Sequence, residues 1–81
     1  MTERQREINE KLKLQKSFGL HLKKLRASKG LTAAELSRLC FMERSNIARL
    51  EMGRMNPSLF VLKKLADGLE IDIQELFKGF K

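Results

Sequence analysis

Two helix starts lie too close together for one helix to serve the stretch from Thr32 to Gly53, TAAELSRLCFMERSNIARLEMG. Thr32 and Glu35 carry the residue types of a capping box, in which a hydroxyl and a carboxylate each satisfy one backbone amide at a helix N-terminus. Glu43, whose charge suits the positive end of a helix, begins a second helix. The first must then end near Cys40, with the chain turning around Phe41 and Met42. The second runs to about Met52, where Gly53 stops it. Leu36, Leu39, Ile47 and Leu50 fall where two helices packed across a bend would meet. Arg44, Ser45, Asn46 and Arg49 are left facing outward, and Ser45 and Arg49, one turn apart, share a face that Ile47 and Leu50 do not.

The flanking segments repeat the helical period. Phe18, Leu22 and Leu25 predict a core helix over 18–28, with Gly30 as a left-handed terminator and a cationic last turn that suits the helix dipole. Residues 1–17 form a charged arm rich in helix formers, with Ile8, Leu12 and Leu14 its few apolar members. The spacing Ile8, Leu12, Gln15, Phe18, Leu22, Leu25 keeps one face over several turns, so the arm is expected to run into the core helix. After the turn Asn56-Pro57-Ser58, Ser58 caps a fourth helix with Leu59, Leu62, Leu65 and Ala66 inward and Gly68 at its end. Asp72 and Glu75 supply a further capping box for a short last helix carrying Ile73, Leu76 and Phe77. No stretch alternates cleanly enough to be a strand. The expectation is an all-α domain of five helices over 18–81, preceded by a helical arm.

Composition narrows the partners. Lys and Arg number 17 against 10 Asp and Glu, a net charge of +7, which favours a polyanion. The excess is N-terminal: residues 1–30 carry net +6, residues 31–58 net +1 and residues 59–81 none. A core of this size gives roughly 3 to 5 kcal/mol, so a second copy or a ligand is expected to add stability. The single cysteine, Cys40, excludes an internal disulfide and suits a reducing cytoplasm. No apolar run approaches the roughly 20 residues of a membrane span, and no signal peptide is evident. With one histidine, His21, read as a surface residue, and one cysteine, no metal site can be assembled and no cofactor is expected. Cys40 in an apolar frame and Ser45 without a base give no catalytic constellation.

Over Phe18 to Phe77 the residues resemble the Cro/C1-type helix-turn-helix family, also called the Xre family. The matching positions are Phe18, Gly19, Leu22, Leu25 and Arg26, then Gly30-Leu31-Thr32, Glu35-Leu36, Arg44-Ser45, Ile47, Glu51 and Gly53. Asn56-Pro57-Ser58-Leu59, Leu62, Leu65-Ala66, Leu69, Asp72 and Glu75-Leu76-Phe77 complete them. The resemblance implies a lambda-repressor-like five-helix bundle that binds operator DNA, usually as a homodimer. It also implies that Arg26 meets Glu51 in a mostly buried ion pair and is structural. Two positions depart from the family pattern: Phe41 stands where the turn usually has glycine, and Ala33 where a glutamine often buttresses the reading helix.

On this reading the helix over 44–52 enters the major groove of double-stranded DNA. Arg44, Ser45 and Arg49 are expected to contact bases, Asn46 a base or a phosphate, and Thr32, Lys29 and Arg54 phosphates. Candidate dimer surfaces are the cluster Leu69, Ile71, Phe77 and Phe80 and the arm with Ile8 and Leu12. The competing reading is an antitoxin-like protein-binding module, for which only residues 1–17 offer an extra segment. Sequence-independent binding to RNA or an anionic membrane through the arm is disfavoured for RNA by the absence of Tyr and Trp.

Overall fold

A computed structural model describes residues 1–79. Four α-helices, α1 (Glu3–Ser28), α2 (Ala33–Leu39), α3 (Arg44–Glu51) and α4 (Leu59–Leu69), are followed by a 3-10 helix, Ile73–Phe77, with no strand among the described residues. Thr2 starts α1 with a capping box of its own, the hydroxyl accepting Gln5 N–H at 3.1 Å and Gln5 Oε1 accepting Thr2 N–H at 2.9 Å. The arm and the first core helix are thus one helix of 26 residues. Burial begins midway along it: every residue before Gln15 is exposed, and Gln15, Phe18, Gly19 and Leu22 are buried.

Phe18, Leu22, Leu36, Cys40, Ile47, Leu50, Leu65, Ala66, Leu69 and Leu76 form one core to which each helix contributes. Gly19 lets α1 cross α3 closely, since a Cβ there would lie 2.6 Å from the carbonyl oxygen of Glu51. Gly53 ends α3 at φ +74 and also brings the chain against Lys16, where a Cβ would meet Cα at 2.6 Å. Gln15 Nε2 donates to the Gly53 carbonyl at 3.1 Å, closing the same junction.

The structure corrects several expectations. Leu59, expected inward, is 76% exposed, because it falls on the Ala66 edge of the apolar stripe and full burial begins only at Leu65. Gly68 does not terminate α4. It is buried against the Cys40 thiol, which a Cβ would overlap, and the left-handed terminator is Glu70 at φ +57. Neither Glu43 nor Asp72 makes a side-chain cap bond. The amide each would accept is already bonded to that residue's own carbonyl, Asn46 N–H to Glu43 O at 3.0 Å and Glu75 N–H to Asp72 O at 2.9 Å. The last element is accordingly 3-10 in place of an α-helix with a capping box. Leu69, offered as dimer surface, belongs to the core at 2% exposure. Phe80 lies outside the described residues. His21 is half-buried, its Nε2 3.1 Å from the Glu75 carbonyl oxygen, and so ties α1 to the 3-10 helix. Among the described residues no helix is long and apolar enough to cross a membrane.

Candidate nucleic-acid interface

The α2–turn–α3 unit is shaped by local bonds. Thr32 Oγ1 accepts Glu35 N–H at 3.1 Å while Glu35 Oε1 accepts Thr32 N–H at 2.8 Å. The Thr32 amide bonded to its carboxylate, and then the Thr32 hydroxyl beside it, hold the Glu35 carboxyl below the usual carboxylate range. Cys40 ends α2, and the chain reverses through Phe41 at φ +54. That left-handed residue lets Met42 N–H reach the Ser37 carbonyl at 2.9 Å. The Phe41 ring is 88% exposed, so nothing offsets its backbone strain by burial, and Lys64 Nζ donates to its carbonyl at 3.0 Å.

Ile47 and Leu50 fix α3 in the core at 0% exposure. Arg44, Ser45 and Arg49 are exposed on the same helix, and Asn46 is half-buried beside them. Among the described residues Arg44 and Ser45 have no side-chain hydrogen bond or ion pair, so both are open to an incoming acceptor or donor. Arg49 is held: its Nη2 donates to Asn46 Oδ1 at 2.8 Å and lies 3.9 Å from Met55 Sδ. The sequence reading missed this pair, although spacing three apart on a helix is its signal.

The three residues expected at phosphates stand at or just beyond helix ends. Lys29, exposed, closes α1 just before the α1–α2 loop, and Arg54, exposed, follows α3 directly, its N–H bonded to the Arg49 carbonyl at 2.9 Å. Thr32 caps α2, with its amide bonded to the Glu35 carboxylate and its hydroxyl at the exposed start of the helix. Ala33, where a buttressing glutamine would stand, is half-buried and offers no polar group.

Arg26 and Glu51 brace the unit from behind. Arg26 Nε and Nη2 donate to Glu51 Oε2 and Oε1 at 2.6 and 3.0 Å, and Nη1 donates to the Leu31 carbonyl at 2.8 Å. The side chains are 15% and 10% exposed. The hydrogen bond to Glu51, with its charge, raises the Arg26 pKa further. One guanidinium thus joins α1, the loop before α2, and the end of α3. It also cancels the Glu51 charge close to the basic face.

Comparison with known proteins places this geometry. A helix-turn-helix family pattern, HTH_3, matches residues 22–76. No curated protein matches the chain by sequence. Among solved structures, the restriction-modification controller protein C.AhdI from Aeromonas hydrophila is 40% identical and superposes with a TM-score of 0.76 over 78% of this chain and 96% of its own. An HTH_3 family transcriptional regulator from Vibrio cholerae is 27% identical with a TM-score of 0.79, over 83% of this chain and 38% of its own. The clp gene regulator ClgR from C. glutamicum is 26% identical with a TM-score of 0.74, over 79% and 83%. Family match, fold and the basic outward face of α3 agree: the chain belongs to the Cro/C1-type helix-turn-helix family of DNA-binding transcription regulators.

Proposed function

We propose that the chain binds double-stranded DNA in a sequence-specific way, as a small transcription regulator that lays α3 in the major groove. The observation carrying this reading is the exposed face on which Arg44, Ser45 and Arg49 stand together while Ile47 and Leu50 anchor the same helix. Arg44 or Arg49 can give two parallel N–H groups to O6 and N7 of a guanine, discriminating by about 1 to 3 kcal/mol, and Ser45 is a less selective donor and acceptor. The Thr32 hydroxyl, Lys29 and Arg54 take phosphates, which fixes register without reading sequence. The 40% identity to a restriction-modification controller protein supports a regulator of that compact kind.

One module reading a few base pairs does not stand out among roughly a million competing sites, so the working form is a homodimer on a palindromic operator. Exposed apolar residues that a second copy can cover are Phe60 and Phe77 towards the C-terminus and Ile8 and Leu12 on the arm. Selecting bound duplexes from a random pool tests the whole reading. A palindromic consensus supports it, a single unrepeated half-site removes the dimer, and no enrichment removes sequence-specific binding. Sedimentation at micromolar concentration reads the dimer independently.

A further inference from the structure

We infer that Asn46 is a positioning residue: it orients Arg49 to select one guanine and reads no base itself. The inference rests on α3 being the groove-reading helix. A guanidinium bears donors only, so the amide oxygen of Asn46 must be the atom that faces it, as the 2.8 Å contact to Nη2 has it. Two edges of a guanidinium can present parallel N–H groups to O6 and N7, Nε with Nη2 and Nη1 with Nη2, and both use Nη2. Giving one Nη2 hydrogen to Asn46 closes one edge and keeps the other, so Arg49 meets DNA with a single bidentate presentation.

The remaining Nη2 contact, to Met55 Sδ at 3.9 Å, is to a weak acceptor that a guanine oxygen or nitrogen displaces. Holding a long side chain before binding also reduces the rotamer entropy lost on binding. Asn46 itself is half-buried, whereas Arg44, Ser45 and Arg49 are exposed, and its amide oxygen is already engaged by Arg49. Arg44 has no such partner among the described residues, so Arg49 is the more selective of the two arginines.

Selection from a random duplex pool with wild type, Asn46→Ala, Arg49→Ala and the double variant tests this. Arg49→Ala abolishes the preference at one guanine of the wild-type consensus. Asn46→Ala weakens the preference at that same guanine by roughly 2- to 10-fold, the worth of one hydrogen bond. The double variant matches Arg49→Ala, because the two residues act as one unit. Melting of Asn46→Ala close to wild type separates this from loss of fold. A consensus that Asn46→Ala changes at a different base, or leaves unchanged, overturns the inference while the groove reading stands. A consensus that Arg49→Ala leaves intact overturns it as well. Failure of the wild type to enrich any sequence overturns the groove reading, and the inference with it.

Discussion

Arg26 clasps Glu51 with two parallel hydrogen bonds, at 2.6 and 3.0 Å, across the junction of α1 and α3. Removing one member of such a pair leaves a desolvated charge unmatched, which costs roughly 3 to 5 kcal/mol. A domain of this size holds little more than that. Arg26→Ala is therefore expected to be largely unfolded at 25 °C by circular dichroism. Arg26→Lys keeps the charge but loses the fork and is expected to melt between the two. An unchanged midpoint for Arg26→Ala would show that the pair contributes nothing.

At Phe41 the expected change is a gain. A non-glycine residue in the left-handed region costs roughly 1 to 2 kcal/mol, and an 88% exposed ring returns almost no burial energy. Glycine relieves the strain but adds freedom to the unfolded chain, which takes back part of the gain. Phe41→Gly should raise stability by about 0.5 to 1 kcal/mol in urea titration. A lower urea midpoint would mean that the ring packs in solution.

Gly19→Ala sets two effects against each other. Helix propensity favours alanine by about 1 kcal/mol. The added Cβ, however, would stand 2.6 Å from the Glu51 carbonyl oxygen, a backbone atom that moves only if α1 and α3 separate. Overpacking of this kind costs roughly 1 to 3 kcal/mol, and the crossing also holds the Arg26–Glu51 pair, so loss is expected to win. A melting temperature equal to or above wild type would reverse that ordering.

Burial pushes the Cys40 thiol up to about 11. The folded state then keeps its proton at pH values where the unfolded chain, with a thiol near 8.5 to 9, has released it. Stability contributed by the buried thiol is complete below about pH 8.5 and is lost as pH rises toward 11, by on the order of 2 kcal/mol. Lysines titrate in the same range, so the quantity to measure is the difference between wild type and Cys40→Ala in urea unfolding across pH 8 to 11. A difference independent of pH counts against the shift.

For Lys29 the readout is salt. Loss of one phosphate contact flattens the plot of log affinity against log salt by about 0.9 units without altering sequence preference. Lys29→Ala is expected to do both. A changed preference assigns Lys29 to a base, and an unchanged slope leaves it a solvated charge.

The helix boundaries were legible wherever one residue carries its own signal. Thr32 with Glu35, Gly30, Gly53 and Ser58 name their positions because cap and terminator chemistry is local. Misreadings arose where two residues competed for one group. Glu43 and Asp72 have the right type for a cap, yet their own carbonyls already hold the amide in question. Gly68 has the right type for a terminator, but the Cys40 thiol across the core dictates its lack of a side chain, and Glu70 takes the left-handed role against its own preference. At the candidate site the exposed set Arg44, Ser45 and Arg49 follows from periodicity. The Asn46–Arg49 bond has the spacing of a helical pair, but that spacing only makes the contact available, and the side chains decide whether it forms.

The 26-residue α1 has a mechanical consequence. A helix is stiff along its axis, and this one is fastened to the two-helix unit at three levels: Gln15 on the Gly53 carbonyl, Gly19 under the end of α3, and Arg26 on Glu51. The exposed residues before Gln15 are therefore a lever arm with its fulcrum at the C-terminus of α3. A load on Ile8 or Leu12 is borne by the same three contacts that hold the end of α3.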